Sequence, residues 1–155
     1  MDIRIAVNSD IEGILQLLVQ VNQIHADGRP DIFKNGGSKY TAESLRDKLE
    51  LKNERIYVAV EDGRVLGYAF LVTQETREST NLQHRRVVYI DDLCIDEKER
   101  GKHIGTSLFN AAREYAGQIQ ADAITLRVWE LNSSAKAFYE AVGMKPLYTE
   151  MELKM

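Results

Sequence analysis

The apolar run Val87-Val88-Tyr89-Ile90-Asp91-Asp92-Leu93-Cys94-Ile95 is followed, after four residues, by Arg100-Gly101-Lys102-His103-Ile104-Gly105-Thr106. Beyond that loop Ile104, Leu108, Ala111, Ala112 and Tyr115 recur at helical spacing. β-Branched and aromatic content predicts a strand for the first stretch, and the period predicts a helix for the last. A strand that enters a helix through a short glycine-containing loop points to an α/β layered architecture. The helix start would also present unpaired N–H groups and the positive end of the macrodipole, to which a loop without bulky side chains admits a phosphate. Arg100 and Lys102 add positive charge there. Taken alone, the same glycines are equally those of an ordinary strand-to-helix turn.

The rest of the chain supplies elements around this unit. Ile3 to Val7 reads as a short strand, and Asn8-Ser9-Asp10 as the cap of a helix carrying Ile11, Ile14, Leu15, Leu18 and Val21. From His25 to Tyr40 the period breaks, and Gly28, Pro30, Gly36 and Gly37 mark a long loop or broken helix. Thr41 caps a second helix with Leu45 and Leu49. The runs Ile56–Val60 and Val65–Val72 flank Glu61-Asp62-Gly63-Arg64, a hairpin signal. Thr73 to Arg86 is polar and reads as an exposed connection. Ala123 to Trp129 predicts another strand, Asn132-Ser133-Ser134 caps a helix from Ala135 to Val142, and Leu147 to Leu153 is strand-like. The sum is an α/β sandwich around a mixed sheet.

At 155 residues and 44% hydrophobic content, the chain suits one domain, 1–155. Twenty-four acidic against twenty basic residues, net charge -4, argue against nucleic acid as the main partner. Cys94 is the single cysteine, lies in an apolar strand and suits a reducing cytoplasm. No basic-then-apolar leader and no apolar run near membrane-spanning length are present, so a soluble cytoplasmic protein with no membrane partner is expected. His25, His84 and His103 lack ligand spacing, and no metal site is expected.

Two motifs together resemble the GNAT superfamily of acetyl-CoA-dependent N-acetyltransferases, over nearly the whole chain. The family's pyrophosphate loop is matched by Arg100-Gly101-Lys102-His103-Ile104-Gly105, with His103 where the pattern has its first required glycine. Asn132-Ser133-Ser134-Ala135-Lys136-Ala137-Phe138-Tyr139 through Gly143-Met144 resembles the family's second cofactor segment. The resemblance implies a mixed, mostly antiparallel sheet with helices on both faces and acetyl-CoA as co-substrate. It implies that Arg100, Gly101, Lys102, His103, Ile104, Gly105 and Thr106 hold the pyrophosphate. Leu93, Cys94 and Ile95 would hold the pantetheine arm and acyl carbonyl through their backbone, and Asn132 and Ala135 would complete the cofactor contacts. Tyr139 would place its hydroxyl near the CoA sulfur and protonate the departing thiolate.

Acyl transfer from a thioester to an amine requires a group that draws a proton from an acceptor whose pKa is near roughly 10. Asp91 and Asp92 are the candidates, because carboxylates in an apolar strand demand an explanation. Strand alternation separates them onto opposite faces unless a bulge intervenes. The run Tyr89-Ile90-Asp91-Asp92-Leu93 resembles that of spermidine/spermine-type and related amine acetyltransferases, which favours Asp91 as base or amine-attracting group and Asp92 as a supporting or substrate contact. A salt bridge to Arg127 or another basic side chain on a neighbouring strand is the structural alternative for either. By resemblance, His25–Tyr40 and Thr73–Arg86 would shape the acceptor pocket. Asp27, Asp31 and Glu75 are there to attract a cation, and Arg29, Arg77 and Arg85 to hold a carboxylate. The expected activity is acetylation of a primary amine on a small molecule or peptide by direct attack. The alternatives are a CoA-binding regulatory domain without turnover and a protein N-terminal or lysine acetyltransferase. A homodimer through late strands is also expected from the resemblance.

Overall fold

The computed structural model describes residues 1–155. Five strands, β1 (Asp2–Ile5), β2 (Glu54–Glu61), β3 (Arg64–Thr76), β4 (Arg85–Ile95) and β5 (Ala123–Leu126), form one sheet in sequence order. The first four pair antiparallel and β4 pairs β5 parallel, so the sheet is mixed and mostly antiparallel. Two-residue hairpins suffice for antiparallel neighbours, whereas the parallel pair needs a crossover, supplied here by a helix. The β2–β3 turn is the hairpin read from sequence: Asp62 and Gly63 have φ of 50° and 76°, the paired left-handed residues that match strand twist.

Helices α1 (Ile11–Gly28) and α2 (Ala42–Glu50) cover one face, and α3 (Ile104–Gln118) covers the other. Ile14, Leu17, Leu18 and Leu45 pack with Val58, Tyr68, Phe70 and Cys94. Leu108, Phe109, Ala112 and Tyr115 pack with Ala69, Leu71, Val88 and Ile90. α4 (Ser133–Ala141) lies beside α3 and contributes Phe138 to the second cluster. The Thr41 hydroxyl accepts the Ser44 N–H at 3.1 Å and Ser44 Oγ accepts the Thr41 N–H at 2.9 Å, closing the start of α2 reciprocally. No helix is long and apolar enough to cross a membrane.

Three sequence expectations change. The first helix does not break at His25 but runs to Gly28, where its last turn packs the His25 ring 5.0 Å from Phe33 and 6.3 Å from Trp129. The strand expected over 123–129 ends at Leu126, whose partner Ile90 is the last residue of β4 before a bulge turns β4 away. Residues 147–153 form no strand: with no paired edge, the tail is held by polar contacts. These are Arg127 Nε to the Tyr148 hydroxyl at 3.0 Å, Arg29 to Glu152 at 3.0 Å and Lys154 to Asp31 at 3.4 Å. The late strand on which the expected homodimer rested therefore does not form.

Candidate active site

Side-chain alternation along β4 changes phase at Asp91. Phe70 pairs with Asp92 and Leu71 with Ile90, which leaves Asp91 as an extra residue, a β-bulge. Before it, Val88 and Ile90 point toward α3; after it, Leu93 and Ile95 take over that face. Asp92 and Cys94 then share the opposite face with Tyr68 and Phe70. The bulge thus turns both Asp91 and Asp92 toward the α1–α2 side, which uninterrupted alternation forbids.

The two carboxylates have different surroundings. Asp91 accepts a short hydrogen bond from the Tyr40 hydroxyl, and Lys39 Nζ lies 3.0 Å from its Oδ2 and 3.1 Å from its backbone oxygen. Arg127, the alternative partner expected from the sequence, instead bonds Tyr148. Asp92 is held by the Tyr68 hydroxyl at 3.3 Å, a long bond. Burial pushes the Asp92 carboxyl up to about 6, opposed by the Lys39 charge and reinforced by Asp91. Burial likewise raises Tyr139 well above the usual phenol range, with the charge of Asp92 next in effect. Tyr139 stays a proton donor at any physiological pH. Its ring meets Phe138 edge-on at 5.3 Å, so the two aromatics of α4 divide roles: Phe138 packs on α3 and Tyr139 faces the carboxylate side. The Cys94 thiol, buried and pushed up to about 12, points at the Leu17 carbonyl, 3.7 Å away. It is a packing residue, its sulfur turned into the core beneath α1.

β5 accompanies β4 only from Val87 to Ile90, so β4 from Asp91 to Ile95 has an open edge on that side. The Asp96 N–H donates to the Leu66 carbonyl of β3 at 2.8 Å. By strand alternation the polar backbone groups of Leu93 and Ile95 face the opening instead. Among the three expected backbone contacts, these two meet the requirement and Cys94 turns its own toward β3, where its carbonyl lies close to Gly67.

The loop before α3 keeps glycine-type geometry despite His103. His103 has φ 60° and Gly101 φ 82°, both left-handed. The His103 side chain is exposed and caps nothing, so the first N–H groups of α3 stay open, and no acidic residue occupies the first turn. Gly105 allows α4 to approach: an added Cβ would stand 3.3 Å from two Phe138 ring atoms. Ile104 is buried beneath the loop and Thr106 is exposed in the first turn. Arg100 is exposed and makes no ion pair, but Lys102 lies 2.6 Å from Glu99, a carboxylate that also pairs with Arg64. Lys102 therefore gives the loop less free charge than its sequence suggests. Asn132 Oδ1 accepts the Ala135 N–H at 3.1 Å, capping α4 and leaving its amide nitrogen free for a ligand; the Ala135 N–H is thereby taken.

Of the two segments expected to shape an acceptor pocket, only the α1–α2 connection touches the carboxylates, through Lys39 and Tyr40. The β3–β4 connection begins six residues back along β4 from Asp91, roughly 20 Å away. Its Glu75 pairs with Arg86 at 2.5 Å. Arg29 and Asp31 neutralise each other at 2.8 Å, and Asp27 accepts from Gln23 at 2.6 Å. A surface depression of about 540 Å³ lies at that far end, lined by Lys52, Thr73, Arg86 and Tyr115. Glu75, expected to attract a cation, lines it but is paired with Arg86, and none of the expected catalytic or cofactor-binding residues lies there. Sequence reasoning missed Lys39, Tyr40 and Tyr68; only the adjacency of two acids within an apolar strand signals that such partners must exist.

The chain matches the model of the acetyltransferase (GNAT) family over residues 18–144. It is 29% identical over 144 residues to the uncharacterized N-acetyltransferase YhfO of Bacillus subtilis, covering 92% of this chain and 89% of that protein. A crystal structure of a mutant of the BH1408 protein from Bacillus halodurans superposes with a TM-score of 0.97 at 33% identity, covering 100% of this chain and 99% of that one. The aminoglycoside N-acetyltransferase AAC(6')-Iy, crystallised in complex with CoA, shares the fold at a TM-score of 0.73 and 15% identity, with 99% and 98% of the two chains covered. The match across most of the length, on a mixed sheet with the open-edged β4 and the glycine loop before α3, means that this chain belongs to the GNAT family and is an acetyltransferase.

Proposed function

We propose that the protein transfers an acetyl group from acetyl-CoA to a primary amine by direct attack, with Asp92 as the base and Tyr139 as the acid. The observation that carries the reading is the bulge, which sets Asp91 and Asp92 on one face beside the open edge of β4 and within electrostatic reach of Tyr139. The residues fit acetyl-CoA: open N–H groups at α3, the uncommitted Arg100, and the Leu93 and Ile95 backbone in the opening. Acetyl-CoA supplies the activated acyl group as a thioester.

Asp92, rather than the expected Asp91, suits the base. With its carboxyl near 6 it is ionised at pH 7 yet basic enough to receive a proton, directly or through one water, as the amine loses it. Asp91 already holds the Lys39 ammonium and the Tyr40 hydroxyl on its Oδ2, so these partners stand where a substrate proton would have to arrive. The Leu93 N–H, aimed into the opening, supports developing negative charge on the acyl oxygen without needing a particular side chain. Tyr139, kept protonated, donates to the departing thiolate. A small molecule or peptide amine enters from the α1–α2 connection.

The test is acetyl-CoA-dependent thiol release over a panel of polyamines, amino acids, aminoglycosides and short peptides, with CoA binding followed by calorimetry. Turnover by the parent and at least a hundred-fold lower kcat in Tyr139→Phe, at unchanged CoA affinity, are expected. Tight CoA binding with no turnover across the panel would favour a regulatory CoA-binding domain instead; absence of CoA binding would remove the reading.

A further inference from the structure

Two carboxylates brought side by side on one face are the recognition chemistry for two positive charges, yet one of them is already taken. Lys39 Nζ sits 3.0 Å from Asp91 Oδ2 and 3.1 Å from the Asp91 carbonyl, in the manner of a bound primary alkylammonium. Asp92 has no cation of its own and only the 3.3 Å phenol of Tyr68. The formal charge of the trio Asp91, Asp92 and Lys39 is that of one uncompensated carboxylate. We propose that Lys39 is a specificity-determining residue: a resident ammonium that fills the Asp91 half of the acceptor site, so that the site takes amines with one positive charge and turns away diamines. This rests on the acetyl-transfer reading above for the identity of the site as the acceptor site.

The mounting of Lys39 suits that role. Tyr40, next in sequence, stacks on Phe70 with ring centres 5.5 Å apart and has Lys48 Nζ 4.7 Å from its own ring centre. Lys48 is itself paired with Glu54 at 2.6 Å, so it is not available to replace Lys39. The cap at Thr41 then fixes the chain where α2 begins. Backbone on the Tyr40 side is thus anchored, while the Lys39 side chain, 44% exposed, lies along the rim. Around Asp92 the facing groups are Asp91 and Cys94 on β4, Tyr68 on β3, Tyr139 on α4 and Lys39 with Tyr40 on the connection. Among these Lys39 is the cation. Its removal leaves two neighbouring carboxylates to be satisfied by a ligand, and paired charges in a partly desolvated site attract strongly. Arginine at the same position retains the charge.

The experiment is calorimetric binding of 1,4-diaminobutane and of butylamine, both fully protonated at pH 7.5, to the CoA-loaded parent, Lys39→Met and Lys39→Arg. Expected is a rise of at least ten-fold in the preference for the diamine over the monoamine in Lys39→Met, with Lys39→Arg keeping the parent's preference. An unchanged preference in Lys39→Met overturns the proposal, and so does a failure of that variant, with native near-UV circular dichroism, to bind the diamine at all. Thiol release separates the two claims. A shifted preference without turnover of any amine would retain Lys39 as the resident cation and discard acetyl transfer. Turnover by a parent whose Lys39→Met variant shows no shift would do the reverse.

Discussion

Asp10 and Asp92 are both carboxylates withdrawn from water, Asp10 buried and Asp92 half-buried at the surface of the site, and the protein treats them in opposite ways. Asp10, 5% exposed where the chain enters α1, receives both terminal nitrogens of Arg4 at 2.7 and 2.9 Å and the Val7 N–H at 2.8 Å. The Arg4 hydrogen bonds hold its carboxyl below the usual range. Asp92 receives one long phenolic bond and no cation in contact, and burial drives it up to about 6. A carboxylate saturated with donors is a fastener with nothing left to give a substrate. One left under-satisfied destabilises the fold in its charged form and is thereby ready to take a proton. The contrast separates an acid locked into the fold from the one proposed here as the base, in a chain with twenty-four acidic residues.

The sharpest way to break this contrast is Asp92→Asn. Its kcat should fall by at least a hundred-fold, because the proton acceptor is gone. The parent's kcat/KM should decline as pH drops below about 6, where Asp92 becomes protonated. A parent profile flat through pH 5, or an active Asp92→Asn, would return the base role to Asp91 or to water.

The same substitution should stabilise the fold. A carboxyl raised from 3.8 to about 6 on folding means that the folded state binds the extra proton. Stability is then lost as pH rises through that interval, by roughly 3 kcal/mol in full. In urea denaturation Asp92→Asn should match the parent near pH 4 and exceed it at pH 7.5. A deficit at pH 7.5 would show Asp92 to be a fastener after all.

Asp10→Asn is the mirror case. Removing the bidentate partner of Arg4 should cost about 2 kcal/mol at pH 7, Arg4 being partly exposed. The depressed carboxyl contributes fully above the unfolded value near 4 and loses its contribution as pH falls through the folded one. The parent-to-variant gap should therefore close in acid, the opposite direction from Asp92→Asn, while acetyl transfer at 25 °C stays at the parent level. The smallest expected effect concerns backbone rather than charge. His103, left-handed at φ 60°, should be relieved by glycine, raising stability by about 0.5 kcal/mol once the greater freedom of unfolded glycine is subtracted. A loss of stability would mean that the imidazole makes a contribution of its own.

Much of the molecule is legible in the sequence. The caps at Thr41 and Asn132, the Asp62-Gly63 turn and the strand-loop-helix unit each depend on a few neighbouring residues whose backbone preferences act locally. Tyr139 is reached through the resemblance alone; the fold adds that its hydroxyl is withdrawn from water and feels the charge of Asp92. The misses are mostly long-range. Lys102 is the local exception: its partner Glu99 is three residues away, though Glu99 is itself held in place by Arg64, thirty-five residues earlier. The tail alternates like a strand but has no edge to join.

The order of elements, the two-faced burial of the sheet and the glycine loop before α3 follow from side-chain pattern alone, since periods of 2 and 3.6 and local turn chemistry act within a few residues. Which way Asp91 and Asp92 point does not. That depends on one extra residue in the register between β3 and β4, a matter of how two strands of different local length pair. Only with that register in place do Lys39, Tyr40, Tyr68 and Tyr139 converge on the two acids from separate parts of the chain. The proton affinity of Asp92 is then decided by how much water and how many donors those neighbours leave it.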